Sequence, residues 1–249
     1  DVRLSRDGVP VLHHDPDVDR CTNVRGPVAA YTAAELAAID AAFWFDAEHK
    51  YPWRGRGIGV PTLAEVLARY AGVPMIVEIK VGSAEAARLV VEAICRAAAV
   101  DHVCVGSFSL IALQTVRGLD ARITTSGARE EVRWALYRSW VGLTPAAPAY
   151  RGFQVPERAG RLTVVTQRFV RAAHRAALAV QVWTVNDERD MWRLLDWGVD
   201  GLISDRPDLA VRVRDAWAAA RGRSSQGDQA IMEAREGFTG SLLDRSSSL

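Results

Sequence analysis

A parallel α/β barrel is the fold class that this sequence predicts, and three observations predict it. Short apolar runs alternate with helical patterns along the chain, the arrangement that builds a parallel sheet. The runs are apolar on both faces, as strands covered on both sides are. No glycine-rich phosphate loop follows a strand, which weakens the main rival, a doubly wound open sheet. Seven candidate barrel strands can be counted in 249 residues. A TIM-type (β/α)8 barrel has eight strands in about 250 residues. The chain opens inside the first of the seven, so the expectation is a barrel lacking its first strand–helix unit.

The elements follow in order. Asp1–Ser5 alternates, Arg6-Asp7-Gly8 supplies a turn, and Val9 to Leu12 runs back, which reads as a hairpin. Thr32 with Glu35 and Thr62 with Glu65 are capping boxes that open helices. Between them lies a loop rich in aromatics and glycine, with Phe43, Trp44, Phe45, Tyr51 and Trp53. Pro74–Ile79 is a strand. Ser83 caps a helix whose Ala87, Val91, Ile94 and Ala98 share a face. His102–Gly106, Ala121–Thr125, Gly152–Val155, Ala179–Val185 and Gly201–Ser204 are the remaining strands. Helices follow them at Ser109–Arg117, Arg129–Tyr137, Gln167–Ala177, Asp187–Asp196 and Asp208–Ala220. Gly198 sits where a helix C-terminal glycine belongs. Leu162–Val165 is short and is left out of the barrel count. Residues 1–220 thus form the barrel. Residues 221–249, rich in Ser, Gly and charge, read as a disordered tail with a marginal helix near Ala230–Arg235.

Composition excludes several classes. With 49% hydrophobic and 24% charged residues the chain is ordinary globular protein. A formal net charge of +1 implies no general attraction to nucleic acid. No run of 18 apolar residues marks a membrane span, and the expected compartment is cytoplasmic. Oligomeric state is left open. Cys21, Cys95 and Cys104 match no metal motif, and Cys95 and Cys104 read as buried small hydrophobes.

In a barrel, chemistry sits where strands end. The polar residues there are Asp1, His14 and Asp15, Glu78 and Lys80, Ser107, Gln181, Trp183, Asn186 and Asp205. Glu78 interrupts an apolar strand, and Lys80, two residues on, shares its face. The pair is either a soluble lining of the barrel mouth, or a carboxylate for a hard divalent cation beside a lysine aimed at an anionic substrate. Of His13 and His14, extended backbone lets only one face a site. Read alone, the segment favours a structural histidine over a catalytic one. Trp183 is either core or an apolar wall for substrate. Asn186 or Asp187 caps the next helix. The aromatic loop is either a lid or pocket for choline or an acyl chain, or a packed satellite cluster.

Six segments, in order, resemble the glycerophosphodiester phosphodiesterase family. They are Asp1-Val2 with Asp7–Val11; His14–Arg20; Val60–Val66; Val77–Lys80; Val182–Asn186; and Gly198–Pro207. The likeness runs from Asp1 to about Ala210. It implies metal-dependent hydrolysis of glycerophosphodiesters to an alcohol and sn-glycerol 3-phosphate, with Mg²⁺ or Ca²⁺ as cofactor. It implies that Asp1 and Glu78 are metal ligands, that His14 is a catalytic acid or base, and that Lys80 and Trp183 bind substrate. His13 falls where the family is usually apolar.

Two family features have no match here: the His-Arg-Gly segment, with the other catalytic histidine, and the glutamate of the Glu-x-Asp pair. Both would lie ahead of Asp1. The expectation is therefore that activity is impaired in this chain. The alternative is a non-catalytic barrel that binds a phosphorylated ligand or a partner protein.

Overall fold

A computed structural model describes residues 1–145 and 148–221. The tail's marginal helix near Ala230–Arg235 lies outside the described residues. The chain divides into two compact units, Asp1–Glu131 and Val132–Leu249.

The first unit begins with the hairpin of β1 (Val2–Leu4) and β2 (Pro10–Leu12), paired antiparallel with Arg3 opposite Val11. Gly8 takes φ 76° in its turn, a conformation only glycine adopts freely. The short helix α1 (Ala33–Ala38) and helix α2 (Leu63–Arg69) each open on a complete capping box, as the sequence predicts. A small apolar cluster of Val11, Val18, Val28, Leu36 and Val60 holds the hairpin to α1. Gly59 is required there: a Cβ would lie 1.9 Å from the Ala37 carbonyl oxygen.

Then comes the parallel sheet: β3 (Met75–Glu78), α3 (Ala84–Arg96), β4 (Val103–Gly106), α4 (Leu110–Leu119) and β5 (Thr124–Thr125). The strands lie in the order β3-β4-β5. Helix α5 (Arg129–Trp140) follows and straddles the division between units. Ser83 and Ser109 cap α3 and α4 through their hydroxyls. Each such cap is worth about 1 kcal/mol. Val77, Ile79, Val103 and Val105 bury one sheet face against Ala87, Val90, Ile94 and Leu113.

In the second unit, β6 (Gly152–Pro156) leads to a small antiparallel hairpin, β7 (Arg158–Ala159) with β8 (Leu162–Thr163). The Leu162 segment thus belongs to a hairpin outside the parallel sheets, in line with its omission from the count. Helix α6 (Gln167–His174), β9 (Ala179–Trp183), α7 (Glu188–Asp196), β10 (Gly201–Leu202) and α8 (Pro207–Ala220) complete the unit. Its parallel sheet runs β6-β9-β10. In both sheets spatial order follows chain order without the reversal of a doubly wound sheet. Gly198, at φ 85°, ends α7 as predicted.

Three expectations change. Asp1–Ser5 was counted as a full barrel strand, but β1 joins the parallel sheet through one bridge, Val2 to Ile79. The backbone from Val2 to Leu4 is paired with β2 instead. Cys95 is exposed and Cys104 half-buried. One step of about 100° around α3 carries Cys95 off the face that buries Ile94 and toward solvent, where its Sγ lies 3.8 Å from Asp120 Oδ2. Ala98 is not on the helix face either: α3 ends at Arg96, and Ala98 turns left-handed at φ 50°.

Candidate active site

The site grows from the end of β3. Strand alternation buries Val77 and Ile79 and turns Glu78 and Lys80 to the opposite face. The backbone there is anchored on both sides. Ile79 N donates to Gly106 O at 2.8 Å, and Lys80 N donates to Val2 O at 3.0 Å. The second bond sets the start of β1 beside the end of β3. Asp1 is thereby delivered to Lys80.

Lys80 Nζ lies 2.9 Å from Glu78 Oε2 and 3.3 Å from Asp1 Oδ1. Its side chain is 14% exposed. Two carboxylates thus share one largely buried ammonium, an arrangement stronger than a surface pair because solvent screens it less. Glu78 Oε1 is buried and has no hydrogen-bond partner. Leaving a buried acceptor unpartnered costs about 1–3 kcal/mol, more when it is charged. A hard cation would satisfy it, since Mg²⁺ and Ca²⁺ take carboxylate oxygen. Asp1 and Glu78 are the residues that could hold one. Among the described residues no group of three or more His, Cys, Asp or Glu gathers for a metal, so such an ion would complete its shell with water or substrate oxygen.

His14 comes from the return arm of the hairpin, where His13 N donates to Asp1 O at 3.1 Å. The two histidines part as extended backbone requires. His13 is buried, with Nε2 3.0 Å from Asp17 O. His14 is exposed, with Nδ1 2.7 Å from Asp15 Oδ1. The Arg20 guanidinium, 2.5 Å from Asp15 Oδ2, and His14 itself hold the Asp15 carboxyl down at about 2. An ionised carboxylate can only accept, so His14 Nδ1 carries the proton of this bond. Nε2 is then the nitrogen left to exchange a proton, the usual consequence of a carboxylate behind an imidazole.

Arg3 was not singled out in the sequence. Its Nε donates to the His14 carbonyl at 3.0 Å. Burial lowers its pKa, against the raising influence of Asp15, Asp17 and Glu78. Its guanidinium therefore feels the carboxylates of both the histidine segment and β3. The available signal was alternation, since Arg3 is two residues from Asp1 on the same strand.

The structure thus brings Asp1 and Glu78 into contact with Lys80, while Arg3, two residues after Asp1, holds the His14 carbonyl. Trp183 belongs to the second unit, half-buried at the end of β9 in register with Pro156. Near it Asp187 caps α7, while Asn186 binds Asp205 and Ser204. In the aromatic loop Phe43, Trp44 and Tyr51 gather around one cation, while Trp44, Phe45 and Trp53 keep exposed surface. The Arg54 guanidinium lies 4.1 Å from the Phe43 ring centre, 4.2 Å from Tyr51 and 5.2 Å from Trp44. Among the described residues no helix is long and apolar enough to cross a membrane.

Comparison with known proteins gives a consistent result. The sequence model of the glycerophosphoryl diester phosphodiesterase family matches residues 1–209. A glycerophosphodiester phosphodiesterase of Bacillus subtilis is 29% identical over 87% of this chain and 76% of its own length. The Mycobacterium tuberculosis protein named probable glycerophosphodiester phosphodiesterase 2 is 33% identical over 84% of this chain and 75% of its own. Among solved structures, the glycerophosphodiester phosphodiesterase of Agrobacterium tumefaciens superposes with TM-score 0.65 at 25% identity, covering 86% of this chain and 84% of that one. An Oleispira antarctica phosphodiesterase, solved in complex with the product sn-glycerol 3-phosphate, gives TM-score 0.66 at 24% identity, covering 86% and 83%. These likenesses fix the fold class as the TIM-type α/β barrel that the strand–helix alternation predicts.

Proposed function

Because the chain belongs to the glycerophosphoryl diester phosphodiesterase family, we propose that it hydrolyses glycerophosphodiesters to an alcohol and sn-glycerol 3-phosphate, with Mg²⁺ or Ca²⁺ as cofactor. The observation that carries the proposal is the contact of Asp1, Lys80 and Glu78 with one carboxylate oxygen unpartnered. A phosphodiester is anionic and repels a nucleophile. A bound divalent ion supplies Lewis acidity at the phosphoryl oxygens. Lys80, whose side chain is largely buried, adds a fixed positive charge there that solvent screens less than it would at an open surface. His14, its tautomer set by Asp15, exchanges a proton through Nε2 with the attacking or the leaving oxygen. Arg3 holds the His14 main chain in place. The family resemblance assigns substrate binding to Trp183 as well, at the end of β9. The catalytic body is residues 1–220, of which the family model covers 1–209.

Of the two histidines that the family resemblance implies, only His14 has a counterpart in these 249 residues. We therefore propose that turnover by this chain alone is impaired. The test is release of sn-glycerol 3-phosphate from glycerophosphodiesters with Mg²⁺, with Ca²⁺ and with a chelator. Slow release that the chelator abolishes is expected. Release unaffected by chelation would remove the metal from the mechanism. Rates typical of an efficient enzyme would show that a residue not named above replaces the second histidine.

A further inference from the structure

Beside the carboxylate cluster, at the ends of β3, β4 and β5, lies an open crevice of about 240 Å³ lined by Lys80, Gly82, Ser107, Phe108, Arg129 and Glu130 among others. Lys80 is common to the crevice and the cluster, so whatever occupies the crevice adjoins the group that Lys80 binds. The walls are preformed. Ser107 Oγ donates to Ile79 O at 2.8 Å, and Ser109 N donates to Ser107 Oγ at 3.1 Å. Ser109 Oγ donates to Gly82 O at 3.1 Å, and Arg129 N donates to Phe108 O at 3.3 Å. Three strand-end loops are thus tied to one another before any ligand arrives. A Cβ on Gly82 would stand 3.1 Å from Ser109 Cβ, which shows how closely two of the loops approach.

Two features bear on what fits. The first is size. A crevice of about 240 Å³ has room for a two- or three-carbon alcohol with its phosphoryl group, and its open mouth sets no upper limit on length. The second is polarity. Glu130 Oε2 is buried and has no hydrogen-bond partner, the same condition as Glu78 Oε1 in the adjacent cluster. The Phe108 ring is exposed, but the Arg129 guanidinium already lies over it, 5.0 Å from the centroid. A quaternary ammonium would find that aromatic face occupied by like charge and has no N–H to offer Glu130. A hydroxyl or a primary ammonium has one.

We propose that this crevice takes the alcohol half of the phosphodiester, and that Glu130 selects alcohols carrying a hydrogen-bond donor, such as ethanolamine or glycerol, over choline. The inference rests on the phosphodiesterase reading and goes beyond it by naming the selecting residue and the substrate class. Glu130 acts on binding alone; no proton transfer or bond cleavage is assigned to it.

The probes are phosphoethanolamine and phosphocholine, which carry the two alcohols on a phosphate and contain no diester to cleave. sn-Glycerol 3-phosphate serves as a ligand for the Lys80 side. Calorimetric titration of the full chain with Mg²⁺ present should show phosphoethanolamine binding about tenfold more tightly than phosphocholine, the order expected of one charged hydrogen bond. Glu130→Met should bring the two within about twofold. Glu130→Gln, which keeps a neutral acceptor, should give an intermediate ratio and decides the matter if the methionine variant does not fold. In both variants sn-glycerol 3-phosphate should bind as it does to the parent. Equal binding of the two phosphates by the parent chain, or a ratio unchanged by both substitutions, would overturn the inference. Should neither phosphate bind while sn-glycerol 3-phosphate does, and does so in a Lys80-dependent way, the inference alone falls. Absence of any Lys80-dependent binding of sn-glycerol 3-phosphate would overturn the phosphodiesterase reading and the inference with it.

Discussion

The end of β3 and the end of β9 are built on one plan and filled with different chemistry. In each a parallel strand buries alternate residues against helices, Val77 and Ile79 in one, Val180 and Val182 in the other. On the opposite face β3 presents Glu78 with Lys80 beyond it, and β9 presents Gln181 and Trp183. Gln181 accepts a hydrogen bond from Gln154 across the sheet at 3.1 Å. Past β9, Asn186 donates to Asp205 and accepts from Ser204 Oγ and Asp205 N. At β3, by contrast, charge is concentrated and Glu78 Oε1 has no partner. Alternation puts a polar residue at the mouth of a strand in both places. What stands across from it decides whether that residue ties the fold together or is left with capacity for a ligand.

Substitution can break this comparison, and the largest effect is expected at His14. His14→Ala should lower kcat for release of sn-glycerol 3-phosphate by roughly 10²–10⁴-fold, the contribution of a positioned acid or base. His13→Ala should act mainly on stability, because His13 is buried on the Asp17 carbonyl. A reversed order in steady-state kinetics would mean that His13 is the chemical residue.

Next in size is Glu78→Gln. The change keeps shape and removes charge, so Mg²⁺ or Ca²⁺ affinity should fall by at least about tenfold, with activity falling in parallel. Titration calorimetry with the metal alone reads this without turnover. Unaltered affinity would remove Glu78 from the ligand set and erase the contrast with β9.

Gln181→Met supplies the counterpart in the second unit. Removing one partner of the Gln154 bond should cost on the order of 1 kcal/mol in denaturant unfolding and leave metal affinity untouched. Unchanged unfolding in this variant would show that the Gln154 bond adds nothing to the stability of the second sheet.

The smallest effect concerns Asp15, whose carboxyl is lowered from 3.8 to about 2, first by Arg20 and then by His14. A folded-state pKa below the unfolded one gives stability that is complete above about pH 4 and is lost as pH falls through about 2. Arg20→Met removes the larger cause. Carboxyl NMR titration should then find Asp15 back toward 3.8, and the stability difference from the parent should vanish as the pH drops below that range. An unmoved Asp15 would mean that His14 alone holds it.

Sequence alone determined what local physics determines. Each of the seven counted segments contains a strand, six of them in the parallel sheets and Val2–Leu4 in the antiparallel hairpin, because short apolar runs bounded by turn residues favour extended backbone. Thr32, Thr62, Ser83 and Asp187 cap their helices, because a side-chain oxygen next to an orphan backbone N–H needs no distant partner. Alternation put Glu78 and Lys80 on one strand face, but the roles of Asp1, His14, Glu78 and Lys80 were legible only through the family resemblance, since spacing alone left a structural reading open for each. Tertiary structure decided the neighbours. Periodicity could not say that β1 would give most of its backbone pairing to β2, that Cys95 would fall on the solvent side of α3, or that Arg54 would fill the aromatic cluster. Nor could it show Arg3 bonded to the His14 carbonyl eleven residues on, or Glu130, about fifty residues after Glu78, left like it with an unpartnered oxygen. Those facts depend on groups far apart in sequence that meet when the sheets form, and repeat patterns along one chain carry no record of which groups those are.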